Sequence, residues 1–167
     1  MAIVPIRTLG EPVLREVTRA VERFDDALRV VMEDMLETMV DAPGVGLAAN
    51  QIGLASRCFV YDDGEGHRGF VANPVLSEFA NEEAIDEGCL SIPGPSHPTT
   101  RSLHVRLRGQ DVDGSPLDIV ADGLLARIFQ HETDHLNGLL YIDRLDAAGR
   151  RDVMRQLREL EAGPYGR

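Results

Sequence analysis

His131, Glu132 and His135 stand in the order His-Glu-x-x-His within the stretch Gln130-His131-Glu132-Thr133-Asp134-His135-Leu136-Asn137-Gly138. Residues four apart stack on one face of an α-helix, so the two imidazoles can share one cation, while Glu132 sits about 100° round the axis. That carboxylate is free to serve as a base, and the chemistry these residue types support is metal-assisted hydrolysis. A lone histidine beside an apolar helix is ordinarily a satisfied core residue. The pair with its intervening acid points to a metal.

A catalytic site of this kind takes three protein ligands and leaves a position for water, so the third ligand decides which enzyme this is. One protease pattern places a third histidine shortly after the helix; Gly138 matches its glycine, but position 141 is Tyr141. Another draws a glutamate from a later helix, for which Glu159 and Glu161 are available in a charged, surface-like segment. Upstream stands Glu87-Gly88-Cys89-Leu90-Ser91, whose cysteine offers a thiolate between a flexible glycine and a small polar serine.

Three separated stretches then occur in a fixed order: Gly44-Val45-Gly46-Leu47-Ala48-Ala49-Asn50-Gln51, Glu87-Gly88-Cys89-Leu90-Ser91 and His131-Glu132-Thr133-Asp134-His135-Leu136. Together they resemble the three signature motifs of the peptide deformylases, over a span from about residue 6 to about residue 160. The resemblance implies Cys89, His131 and His135 as ligands of one divalent ion, with Fe²⁺ physiological and Zn²⁺, Ni²⁺ or Co²⁺ as substitutes. It implies Glu132 as the base, and Gln51 with the backbone N–H of Leu90 as donors to the developing oxyanion. The expected reaction removes the formyl group from N-formyl-methionyl nascent peptides and releases formate. It also implies an ion pair between Glu87 and Arg101 that braces the cysteine loop. Two alternatives stand beside this reading, a zinc-dependent endopeptidase and a noncatalytic metal-stapled module; the latter would add His97 as a fourth ligand.

Gly44, Val45 and Gly46 form a glycine-rich run that lets another backbone approach closely, so an extended peptide can pair along it. An apolar wall of Val45, Ile85, Leu124 and Ile128 would suit an unbranched methionine side chain, and the resemblance places the substrate pocket there. Arg127 departs from the apolar residue often seen at its position in the family. Ser96 falls where some relatives carry Arg.

At 167 residues and 43% hydrophobic content, the chain suits one globular domain, taken as residues 1–167. A formal charge of −11 argues against DNA binding, which needs a basic surface to neutralise phosphates. From Arg144 onward six Arg face four acids; the resemblance implies docking on ribosomal RNA, which such local basic charge would assist. Two cysteines, Cys58 and Cys89, make no disulfide framework, and no stretch reaches the roughly 18 apolar residues of a membrane span. A cytoplasmic, soluble protein is expected, with no membrane partner.

Helical spacing of Leu28, Met32, Met35, Leu36 and Met39 predicts a helix over 25–40. A short turn is expected over 11–15, and Pro43, Gly44, Gly46 and Gly53 predict irregular backbone or a short strand over 41–53. Strands are expected at 58–61, 69–72, 75–79, 103–110 and 117–120, with Asp113-Gly114 as a hairpin turn. Helices follow over 122–136, carrying the metal residues, and 146–161. Strands first and helices after predict an α+β fold. The resemblance implies antiparallel β-sheets wrapped around the central metal-binding helix, with the amphipathic helix at the C-terminus.

Overall fold

The structure is a computed structural model and describes residues 2–163. A 3-10 turn at Pro12–Arg15 and helix α1 (Asp26–Asp41) precede strands β1 (Gly46–Ala48), β2 (Cys58–Asp62), β3 (Arg68–Cys89), β4 (Ile92–Gln110) and β5 (Pro116–Asp122). Helices α2 (Gly123–Leu136) and α3 (Ala147–Glu161) complete the chain, with a 3-10 turn at Tyr141–Arg144 between them. Every expected helix is present within one residue of its predicted ends. The strands form one antiparallel ladder in chain order, β1-β2-β3-β4-β5, and α2 touches all five.

Two expected strands, 69–72 and 75–79, are one. Pro74 reads as a breaker, but a β-bulge between Ala72 and Val75 absorbs it, with Asn73 at φ 52°. The Asn73 side chain fixes the bulge by accepting from Val21 N (2.8 Å) and donating to Val21 O (2.9 Å) and Gln110 Oε1 (2.8 Å). A larger departure is the continuation of β3 to Cys89 and the start of β4 at Ile92, which adds a long hairpin where no strand was expected. Its inward residues are Glu87, Thr99, Arg101 and Ser102, all buried. With polar groups facing in, the apolar alternation that marks a strand is missing.

Helix α2 begins at Gly123 and stops where Gly138 takes φ 74°, donating its N–H to His135 O (3.0 Å) while Leu139 N donates to Asp134 O (2.9 Å). A Cβ at 138 would also run into the backbone of Arg15. The helix buries Leu125, Ala126, Ile128, Phe129 and Leu136 against Phe59, Tyr61, Val71, Val105 and Leu107. Phe129 meets Tyr61 edge-on, with centroids 5.1 Å apart and planes at 90°. Each such fully buried side chain stabilises the fold by about 1.5–3 kcal/mol, so the ridge that holds α2 is also what aims its opposite face.

Helix α1, capped by the Asp25 carboxylate accepting from Leu28 N (3.2 Å), packs Leu28, Met35 and Met39 on Leu47, Ile52, Val60 and Phe70. Its methionines are core. Helix α3 seats Val153 with Ile92, Leu140, Tyr141 and Ile142, so Tyr141 is a buried packing residue.

Candidate metal centre and substrate cleft

Cys89 ends β3, and the two-residue turn Leu90-Ser91 sends the chain back into β4. This places the sulfur over the face of α2 that carries both histidines. The ligand atoms of Cys89, His131 and His135 all lie within 4.8 Å of one another. Cys89 Sγ is 3.2 Å from His135 Nε2, which is 3.2 Å from His131 Nε2. His131 Nδ1 is held 2.5 Å from Glu87 Oε1, which fixes the ring so that Nε2 faces the sulfur. Burial, with the neighbouring His131 charge adding to it, pushes His135 well below the usual imidazole range, toward the neutral form a metal needs. Burial works the same way on His131, but the Cys89 sulfur and the Glu87 carboxylate outweigh it and hold it well above that range. An ion held at Nε2 would displace that proton. One thiolate and two imidazoles converging with a carboxylate alongside fit a four-coordinate divalent ion with one position open.

Glu132 lies on the same helix, 3% exposed, and its Oε2 has no hydrogen-bond partner among the described residues. Burial pushes its carboxyl up to about 7. The group is packed against Gly46 of β1 so closely that a methyl there would overlap the carboxylate. That contact, more than backbone freedom, explains the glycine.

Gln51 sits in the 3-10 turn Ala49–Ile52 that follows β1. Its Oε1 accepts from Ala48 N (2.9 Å), which orients the amide, and its Nε2 donates to Ser91 Oγ (3.0 Å) and lies 3.7 Å from Cys89 Sγ. The preceding Asn50 donates to His135 O (2.6 Å), tying this turn to α2. The Leu90 N–H belongs to the first central residue of the hairpin turn and lies outside the ladder.

Gln51, Glu87, Cys89, Leu90, His131 and Glu132 line one cleft of about 750 Å³, with Gly44, Val45, Gly46, Leu124 and Ile128 along its wall; His135, Asn50 and Ser91 stand behind it. Ile85 is not in that wall; half-buried on β3, it pairs with Thr99. Arg127 reaches the cleft and donates from Nη2 to Asp86 O (2.7 Å). Ser96 lines the far end and is held by Gln156 of α3.

The expected pair Glu87–Arg101 is present and larger than expected. Arg101 makes a two-pronged contact, Nη2 to Oε1 (2.6 Å) and Nε to Oε2 (3.0 Å), and its Nη1 reaches Asp134 Oδ2 (2.6 Å). Arg144 then grips Asp134 through Nη2 (2.5 Å) and Nε (2.9 Å). The chain Arg144–Asp134–Arg101–Glu87–His131 thus runs from solvent to a metal-binding ring. Burial would raise the Glu87 carboxyl, but His131 and Arg101 hold it down to about 2. Sequence reasoning missed Ser91, Asn50, Asp134 and Arg144. Asn50, Ser91 and Asp134 stand inside the quoted motifs, and that placement was the available signal.

His97 pairs across the hairpin with Glu87 and packs against Gly149 of α3, outside the ligand group. Glu159 and Glu161 are exposed on α3, with Glu159 paired to Arg155. The other two histidines pair with acids, His67 with Asp63 and His104 with Asp122. Cys58 is buried, which pushes its thiol up to about 11. No helix among the described residues is long and apolar enough to cross a membrane.

A His-Glu-x-x-His helix with a cysteine closing the triad, on an α+β frame, defines a metal-dependent hydrolase. The Polypeptide deformylase family model matches residues 3–151, and the chain belongs to that family. A peptide deformylase of Acidothermus cellulolyticus is 50% identical over 96% of this chain and 89% of its own length. Peptide deformylase 1 of Corynebacterium glutamicum is 49% identical over 95% and 96%. The crystal structure of a peptide deformylase from Legionella pneumophila superimposes with a TM-score of 0.91 at 38% identity, covering 96% of each chain. That from Synechococcus elongatus, in complex with actinonin, gives 0.88 at 39%, covering 96% of this chain and 89% of that one. The enzyme is a metal-dependent hydrolase that removes the N-formyl group from formyl-methionine of newly made proteins. The endopeptidase alternative finds no support.

Proposed function

We propose that residues 1–167 act as a single catalytic domain in which Cys89, His131 and His135 hold one divalent ion, Glu132 moves the proton and Gln51 with Leu90 N–H stabilises the oxyanion. The observation that carries this reading is the buried, unpartnered Glu132 oxygen beside the Cys-His-His group. The bound ion supplies Lewis acidity, which makes water a usable nucleophile near neutrality. Glu132 takes the proton of the attacking water. As the formyl carbon becomes tetrahedral, its oxygen gains charge and accepts from the Gln51 amide and the Leu90 N–H. Glu132 then hands the proton to the departing amine, leaving formate and a free N-terminus. Formate release from formyl-Met-Ala-Ser, abolished by chelator and restored by metal, tests the assignment; chelator-insensitive release would overturn it.

Gln51 is oriented by Ala48 N and Ser91 Oγ and stands outside the ligand group, so its effect is separable from metal binding. Gln51→Ala is expected to lower kcat by about 10²–10³-fold with KM little changed, the usual cost of one oxyanion donor. Steady-state kinetics decide this, and a loss confined to KM would reassign Gln51 to ground-state binding.

β1 lies at the edge of the sheet, so an extended peptide can add beside Gly44, Val45 and Gly46. The methionine side chain then rests on Val45, Leu124 and Ile128.

A thiolate with two imidazoles does not choose among iron, zinc, cobalt and nickel. We assign Fe²⁺ as the physiological ion in a cytoplasmic enzyme, with Cys89 the oxidation-prone ligand. Protein purified without oxygen should carry more iron and turn over faster than protein purified in air; a fully zinc-loaded sample of equal activity would refute this.

Arg150, Arg151, Arg155 and Arg158 are exposed on α3, and Arg155 is already paired with Asp152 and Glu159. The free members suit contact with ribosomal RNA. Because Val153 is part of the core, reversing charge is a cleaner test than removing the helix. Arg151→Glu with Arg158→Glu should weaken ribosome co-sedimentation without altering turnover on the free tripeptide, and unchanged co-sedimentation would end the idea.

A further inference from the structure

On the side of α2 away from the cleft lies a second cavity of about 490 Å³, bounded by Arg57, Arg144, Thr133 and the bulged part of β3. Arg57 spends only Nη1, on Leu136 O (3.3 Å) and Asn137 Oδ1 (2.9 Å), so its Nε and Nη2 have no partner among the described residues. Arg144 gives Nε and Nη2 to Asp134 and keeps Nη1. Thr133 Oγ1 is shielded from solvent and has no partner among the described residues. Val75 and Phe79 also line the cavity and present apolar surface at 66% and 56% exposure. Glu82 stands at the rim and sets the mouth against ligands with more than one negative charge.

We propose that this cavity binds a small amphiphilic monocarboxylate. The carboxylate bridges Arg57 and Arg144, and the hydrocarbon part lies on Val75 and Phe79. Free guanidinium N–H groups match a carboxylate's two oxygens, and their hydrogen bonds are strengthened by charge. The chain as a whole carries −11, so a pocket with unspent arginine donors is where an organic anion would settle.

The test uses hexanoate titrated into the metal-loaded enzyme, followed by methyl NMR. Val75 and Leu76 report this cavity, Val45 and Leu124 the catalytic cleft. Hexanoate should move the Val75 and Leu76 signals, whereas neutral hexanamide and short acetate should not. Arg57→Gln should weaken hexanoate by about tenfold or more, and Phe79→Ala, an exposed position safe for folding, should weaken hexanoate by a smaller factor. Shifts confined to Val45 and Leu124, equal responses to hexanoate and hexanamide, or indifference to Arg57→Gln would each overturn the proposal.

Discussion

Glu132→Gln is expected to lower kcat by about 10²–10⁴-fold while metal content stays at the wild-type level. The substitution keeps shape and removes the ionisable oxygen. Since Glu132 belongs to neither the sulfur nor the two ring nitrogens of the ligand group, the centre should assemble as before. The side chain is packed by Gly46, so the amide has no room to swing away and let another group replace it. A base must be ionised to act, so wild-type turnover declines as pH falls below the Glu132 pKa; the Gln variant should lose that limb. Rate measurements paired with metal analysis settle it. Activity within about tenfold of wild type would remove Glu132 from the proton path, and loss of metal would make it a ligand.

Arg101→Met should have the largest effect on stability. Arg101 is 3% exposed and is the shared cation of Glu87 and Asp134. Methionine fills similar space but leaves Asp134 with Arg144 alone and Glu87 with His131 alone, and removing one partner of a buried pair costs about 3–5 kcal/mol. Glu87 also loses the brace that holds it on His131, so metal affinity should fall by about 10–100-fold. Arg101→Lys should land between, since lysine keeps the charge and forfeits the fork. The sign with pH is fixed by Glu87. Its folded pKa is held below the ordinary carboxylate value of 4.5, so its contribution is complete above that value and lost as pH falls toward about 2. Wild type should therefore hold its advantage over Arg101→Met in mild acid and surrender it in strong acid. Denaturant melts at fixed metal concentration measure this. A difference below about 1 kcal/mol at neutral pH would mean that water or repacking compensates the pair.

Much of the centre was legible in the chain because its chemistry is local. His131, Glu132 and His135 lie within one turn and a half of helix, and helical spacing alone puts the imidazoles together. Cys89 could be named from its neighbours as a candidate thiolate, but the resemblance was needed to join it to the histidines, since no periodicity tells where a strand end will fall over a helix. The helices were visible for the usual reason, an apolar stripe at 3.6-residue spacing. The hairpin of β3 and β4 was not, because Glu87, Thr99 and Arg101 face inward and its sequence reads as a charged, proline-rich loop. Strand signals come from burying apolar groups on one face, and a face built to hold a site suppresses them. Arg144 escaped notice for a related reason: its partner Asp134 is close in sequence, but the link onward to Arg101 depends on the hairpin.

The fourteen residues of α2 present Phe129 to the hydrophobic interior and His131, Glu132 and His135 to the reacting atoms. Tolerance to change is therefore unevenly distributed. A substitution under this helix that costs little in melting temperature still rotates three working groups at once, so it should register in turnover before it registers in folding. Efforts to harden the enzyme against heat belong instead on the solvent side of α1, whose Val30 and Val40 are exposed and whose residues lie outside the ligand group.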